Sequence, residues 1–193
     1  GWEGPPGIVH GGLQAALADE LGAWTLVGLH RRFGLTTSLQ LRYLRPAEFA
    51  RYDYTQENYT QLLWFFEGFT SYYDDLFLRR CGLIDTPRYL KLLARTVSGV
   101  AATPGREVQS VAQASFDAWT KYYRVGENTP NATVSYYTKG SLVAMCLDLT
   151  LRAEGHSSLD KVMRALWQRS QGGPMRETDV ATVLRQLGQR SFA

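Results

Sequence analysis

Leu63-Trp64-Phe65-Phe66-Glu67-Gly68-Phe69-Thr70-Ser71-Tyr72-Tyr73-Asp74 is the stretch on which the fold turns. With Tyr59 and Leu62 before it and Leu76 and Phe77 after it, large apolar residues recur every three or four positions. A helix brings such residues onto one broad face, so the chain from about residue 57 reads as helical and half-buried. Gly82 suits the cap that ends this helix, because glycine takes a left-handed backbone at little cost. One residue breaks the pattern. Glu67 sits among Trp64, Phe65, Phe66 and Phe69, where an unpaired carboxylate costs on the order of several kcal/mol. Such a group wants a cation, either a metal ion or an arginine such as Arg79 or Arg80.

Downstream the pattern stays helical. Asp85-Thr86-Pro87 places a capping carboxylate before a proline suited to a first turn, which predicts a helix carrying Tyr89, Leu92, Leu93 and Val97. Thr103-Pro104-Gly105 ends it, a further helix is predicted over 108–123, and 126–131 reads as a polar loop. The segment 135–154 reads as a long helix, apolar on nearly every side at its middle and therefore central to the core. Ser158 is the expected cap of a short helix to about residue 169. Gln171-Gly172-Gly173-Pro174 breaks that helix, and a last one is predicted over 177–189.

Upstream the periodicity differs. Gly4-Pro5-Pro6-Gly7 is loop punctuation, and 11–29 reads as a helix with Leu13, Ala16, Leu17, Leu21, Trp24 and Leu26 on one stripe. The segment 36–44 alternates apolar with polar, as a half-buried strand does, until Pro46 stops it. The change of period near Pro46 divides the chain into a helix-plus-strand unit, 1–46, and a helical unit, 47–193. The chain starts without Met at Gly1 and stops at Ala193, so the helical unit is expected to be truncated at both ends.

Composition removes several classes. The 193 residues suffice for a real core, with 45% hydrophobic and 20% charged residues and no low-complexity tract. A net charge of +3, dispersed along the chain, supplies no basic stripe for a nucleic acid. The eleven Tyr and five Trp stand at helical spacing, which suits a core better than base stacking. The most apolar run, 142–151, is short and contains Asp148 and Thr150, so it reads as a buried helix and no membrane partner is expected. Cys81 and Cys146 fit no metal-ligand spacing, lie in apolar helical stretches and are expected as buried thiols. The compartment stays open, with a lean to the cytoplasm.

Two resemblances add chemistry. Ile8-Val9-His10-Gly11-Gly12, a helix carrying Asp19-Glu20, and Thr36-Thr37-Ser38-Leu39-Gln40-Leu41-Arg42-Tyr43-Leu44-Arg45-Pro46 together resemble the hotdog-fold acyl-CoA thioesterases of the phenylacetate-degradation type. The resemblance implies that His10, Gly11 and Gly12 approach a thioester oxygen through backbone N–H groups. It puts the acidic residue on Asp19, with Glu20 as the alternative. A hotdog sheet wraps its helix with several strands and this chain supplies about one, so an active thioesterase is not expected.

From Leu44 onward the resemblance changes. Tyr52-Asp53-Tyr54-Thr55-Gln56-Glu57-Asn58-Tyr59-Thr60, the block quoted first, and Ser135-Tyr136-Tyr137-Thr138-Lys139-Gly140 are similar to the glycyl aminopeptidase family of zinc metallopeptidases. The fold implied is mainly α: a multi-helix bundle like the C-terminal lobe of a thermolysin-like (gluzincin) peptidase, preceded by the short hotdog-like fragment. The resemblance makes Glu67 the third zinc ligand and Tyr137 the hydrogen-bond donor to the oxyanion of the tetrahedral intermediate. A phenol suits that second task because it is a neutral donor at pH 7. Read without the resemblance, Tyr137 packs or caps a helix start. Lys139 and Gly140 are expected to shape the turn rather than to do chemistry.

In these peptidases a helix bearing His-Glu-x-x-His supplies two further ligands and the general base. This sequence contains no His-x-x-x-His, and its three histidines are His10, His30 and His156. Catalytic zinc takes three protein ligands and an open position for water. The expectation is therefore a metallopeptidase catalytic-domain fragment with a peptide as its implied substrate. It is expected to be inactive alone, binding no zinc without the missing N-terminal peptidase portion. A thioesterase remnant and a non-catalytic helical peptide-binding domain are the other readings. Leu44-Arg45-Pro46-Ala47 is compatible with both resemblances, which makes a chimera joined at that point the expected organisation. Loss of the upstream portion is expected to leave Trp64 and Phe66 on a bare face.

Overall fold

A computed structural model describes residues 55–192 apart from 156 and 172. The predicted helix over 11–29 and strand over 36–44, with His10, Gly11, Gly12 and Asp19, lie outside the described residues.

Helix α1, Leu63–Arg80, is built from the aromatic stretch and turns Trp64, Phe65, Gly68, Phe69 and Tyr72 into the core. It starts later than the apolar spacing suggested. Tyr59 leaves the helical path to stack on Phe116 at 4.9 Å, and the Thr60 hydroxyl accepts from the Leu62 N–H at 3.2 Å. The first turn has no local side-chain cap; instead the Trp64 N–H donates to Ser115 Oγ at 2.9 Å, from a residue 51 positions away. Helix N-termini leave such N–H groups open, and here tertiary structure closes one. At the other end Gly82 takes φ +74°, and the Leu83 N–H reaches back to the Leu78 carbonyl, as the left-handed cap requires.

Helix α2, Thr86–Ala101, begins as predicted: the Asp85 carboxylate accepts from the Arg88 N–H at 2.8 Å, and Pro87 stands in the first turn. The predicted single helix over 108–123 is broken up. A short helix α3, Gly105–Val108, precedes α4, Val111–Phe116, and a π-helical turn over Ala118–Tyr122 follows. Ser110 and Gln113 form a reciprocal capping box at the start of α4, a new N-terminus inside the expected helix. Within the expected loop, Thr129–Ala132 forms a single turn, α5.

Helix α6, Tyr136–Ala153, is capped by the Ser135 hydroxyl, which accepts from the Thr138 N–H at 3.3 Å. Its buried residues are Tyr136, Gly140, Ser141, Ala144, Asp148 and Leu151, so one stripe faces the core while Leu149 and Cys146 are exposed. Central placement therefore holds for one face rather than for all sides. Both cysteines are free and exposed, against the expectation of buried thiols. Cys81 caps the end of α1, beyond its packed face, and Cys146 lies off the inward stripe of α6.

Helix α7, Leu159–Ser170, and α8, Glu177–Gly188, complete the described bundle. Ser158 makes no side-chain cap on α7; the buried Asp148 of α6 accepts from the Leu159 N–H instead, at 2.7 Å. A carboxylate at a helix N-terminus also meets the positive end of the helix dipole.

The bundle is organised around the packing of α1 on α6. Gly68 and Gly140 face each other there, and their backbones approach so closely that an added Cβ on either would strike the other at 2.6–3.0 Å. Trp64, Phe65 and Phe69 pack edge-on and tilted beside this contact, with ring centroids 4.6–6.3 Å apart. Trp64 is buried and Phe66 partly so, which corrects the expectation of a bare face. Among the described residues there is no strand, and no helix is long and apolar enough to cross a membrane.

Candidate active site

The Gly68–Gly140 contact determines which side chains meet. Glu67 immediately precedes Gly68 on α1, and Tyr137 stands one helical turn before Gly140 on α6. The close approach of the two backbones brings the Tyr137 hydroxyl to the Glu67 carboxylate. Glu67 and Tyr137, far apart in sequence, are thus neighbours.

Glu67 is half-buried. Burial pushes its carboxyl above the ordinary carboxylate range, while the hydrogen bond from Tyr137 acts the other way. Neither arginine considered for it is available: Arg80 pairs with Asp160 at 3.0 Å, and Arg79 donates to the Thr86 hydroxyl at 2.9 Å. No cation is among the described groups that act on the carboxylate. The aromatic surround is also less complete than the sequence suggested, because Phe65 and Phe69 turn to the core and Glu67 occupies the flank.

Tyr137 is partly buried, and its hydroxyl is pushed up to about 12 by burial first and by the Glu67 charge second. It therefore stays a neutral donor throughout the physiological range. Its ring stacks on Tyr136 at 4.7 Å and lies 6.0 Å from Tyr122. Tyr122 packs edge-on against Tyr123 at 5.3 Å, and the Tyr123 and Tyr136 hydroxyls are 3.3 Å apart. Tyr122 ends the π-helical turn, Tyr123 caps it, and neither was singled out from sequence. Their adjacent pairing, like that of Tyr136-Tyr137, was the one available signal.

Lys139 behaves as a brace. Its Nζ donates to the Arg106 carbonyl at 2.8 Å and the Gln109 carbonyl at 3.2 Å, tying the end of α3 to the first turn of α6. A cavity of about 490 Å³ lies between Trp64 and α8, lined by Val180, Leu184 and Phe192; neither Glu67 nor Tyr137 lines it.

The family model described as M61 glycyl aminopeptidase matches residues 35–143, which hold both Glu67 and Tyr137. This chain belongs to that family. A thioesterase-superfamily model matches residues 6–52, and the two matches overlap over 35–52, a segment that contains Leu44-Arg45-Pro46-Ala47. Among solved structures, an aminopeptidase N family protein from Idiomarina loihiensis is 46% identical over 70% of this chain, with a TM-score of 0.66. The chain spans 24% of the length of that protein. Among curated proteins nothing matches.

M61 membership raises the question of zinc. Among the described residues no three His, Cys, Asp or Glu side chains come together in a way that could hold a metal ion. Glu67 offers one carboxylate beside a phenol. The residues described do not fit a complete zinc centre.

Because burial favours the protonated form of Glu67, the folded chain holds that proton more tightly than the unfolded chain does. Below the ordinary carboxylate pKa both forms are protonated and nothing is lost. As pH rises through the raised value, folding bears the cost of the buried charge. Glu67→Gln is therefore expected to match the parent in acid and to melt higher at neutral pH. Thermal melts at the two pH values check this. The same variant should lower the Tyr137 pKa, read by ultraviolet difference titration against Tyr137→Phe; an unmoved titration would mean the two groups do not interact.

Proposed function

We propose that the helical unit, 47–193, is a zinc aminopeptidase catalytic-domain fragment that carries the Glu67 ligand and the Tyr137 oxyanion donor but not the His-Glu-x-x-His helix. The single observation behind this is the meeting of Glu67 with the Tyr137 hydroxyl across the Gly68–Gly140 contact, within the matched M61 segment. On this reading the chain presents half of a peptidase site. Tyr137 can donate to an oxygen that gains negative charge, and its raised pKa keeps the proton in place to do so. Glu67 would be one of three metal ligands, the other two coming from residues outside this sequence. The bundle belongs to the thermolysin-like (gluzincin) type on this reading, and its substrate is a peptide.

The thioesterase-superfamily match supports a separate origin for residues 1–46, where His10, Gly11 and Gly12 would bind a thioester and Asp19 would act on it. The chain is then a chimera joined within the overlap of the two matches. One set of measurements tests both units. The purified chain is expected to show no stoichiometric zinc after dialysis, no cleavage of glycyl peptides with or without added zinc, and no acyl-CoA turnover. Tight zinc or peptide cleavage lost in Glu67→Gln would sink the fragment reading. Acyl-CoA turnover lost in Asp19→Asn would make the first unit an enzyme.

A further inference from the structure

A second concave site lies next to the tyrosine cluster. It has a volume of about 600 Å³ and is lined by Glu57, Asn58, Trp119, Tyr123 and Arg124, among others. Two features make it unlike ordinary surface. Trp119 and Tyr123 are large aromatic residues left 50% and 59% exposed, with ring centroids 5.8 Å apart. Trp119 is nonetheless fixed, because its indole N–H donates to the Asn58 carbonyl at 3.1 Å. An aromatic ring held rigid and exposed offers binding area with little ordering cost.

The charges of the groove are not equivalent. The Glu57 carboxylate already accepts the Tyr59 hydroxyl. Arg124 forms no ion pair with a carboxylate among the described residues, unlike Arg106, which pairs with Glu107. A guanidinium has a planar fork of donors matched to a carboxylate. Arg124 can therefore take an anion of that shape, against the repulsion of the Glu57 carboxylate that shares the groove.

Tyr122 neighbours the Tyr137 ring at 6.0 Å and the Tyr123 ring at 5.3 Å, and the Tyr123 hydroxyl hydrogen-bonds Tyr137, so the groove adjoins Tyr137 through Tyr123. An extended peptide advances about 3.3 Å per residue, so a peptide held at Tyr137 reaches the groove within about three residues. We propose that this groove is a peptide anchor beside Tyr137, in which Arg124 receives a carboxylate and Trp119 and Tyr123 receive an apolar side chain, within about three residues of the residue held at Tyr137. The carboxylate is either the peptide's C-terminus or an acidic side chain. The proposal rests on the peptidase reading for its register and on the groove's own residues for its chemistry.

Binding to the full 193-residue chain tests it, with three probes followed by calorimetry. The probes are Gly-Gly-Gly-Phe as the free acid, the same peptide as its C-terminal amide, and Gly-Gly-Asp-Phe-amide. The free acid is expected to bind about tenfold more tightly than its amide, the worth of one charge-assisted hydrogen bond. Arg124→Gln should erase that preference, and Trp119→Ala should weaken all three probes. Recovery of affinity in the Asp-containing amide would assign the anchor to acidic side chains as well as to C-termini; no recovery would assign it to C-termini. Equal binding of acid and amide, a preference that survives Arg124→Gln, or no binding of any probe would overturn the anchor. Tyr137→Phe separates the two claims. An acid preference with no contribution from Tyr137 leaves the anchor standing and removes the peptidase register, and a Tyr137 contribution without acid preference does the reverse.

Discussion

Gly140→Ala is expected to destabilise the chain by about 3 kcal/mol, the upper part of the usual range for overpacking, and to separate Glu67 from Tyr137. The new methyl carbon would lie 2.5 Å from the Trp64 carbonyl oxygen and 3.0 Å from Gly68 Cα. Both obstacles are backbone, so no side chain can swing aside, and the whole of α1 must move off α6. Alanine favours a helix over glycine by about 1 kcal/mol, which offsets only part of that cost. Gly68→Ala should act alike, since its methyl would meet Gly140 backbone atoms at 2.6 Å. Gly99 provides the control: it lies within α2, nothing stands within 4 Å of an added Cβ, and Gly99→Ala should be neutral or stabilising. Urea unfolding of the three variants decides the matter. If Gly140→Ala unfolds at the parent midpoint, the close helix contact is not what joins the two site residues.

Asp148→Ala is the second large effect expected, a loss of about 3–5 kcal/mol, as when one partner is taken from a buried charged cluster. The carboxylate is nearly fully buried and accepts three donors: the Tyr72 hydroxyl at 2.9 Å, Arg152 Nε at 2.9 Å and the Leu159 N–H at 2.7 Å. Each comes from a different place: α1, the next turn of α6, and the start of α7. Removal leaves a buried hydroxyl and a helix N–H without acceptors, each worth about 1–3 kcal/mol. Arg152 can turn to Asp160, at 3.3 Å, and is half-exposed, so it contributes less. Asp148→Asn should fall between, because its amide keeps one acceptor but turns a donor toward donors. By contrast, breaking Arg190–Glu154 or Arg169–Asp179 should cost at most about 1 kcal/mol, since these pairs lie at the solvent-facing surface. Denaturant titrations rank the variants, and an Asp148→Ala chain no weaker than Arg169→Ala would refute the role of the cluster.

The sequence by itself determined the helical character of 63–188, because apolar spacing and capping residues act locally. The starts of α2 and α6 at Asp85 and Ser135, the left-handed Gly82 and the ending of α8 near Gln189 are all contained within a few residues of chain. Glu67 stood out for a similar reason, as a charge in an aromatic run, whereas Tyr137 was marked only by the resemblance of its block to the glycyl aminopeptidases. Tertiary structure alone decided what these residues touch. The Trp64 N–H is capped by Ser115 and the Leu159 N–H by Asp148, and no spacing rule reaches across 51 residues or between helices. The break at Ser110 turned a predicted helix into α4 and a π-helical turn, which carried Tyr122 and Tyr123 to the site. Above all, the pairing of Gly68 with Gly140 set the distance between α1 and α6, and a glycine on a helix announces neither its partner nor how near that partner comes.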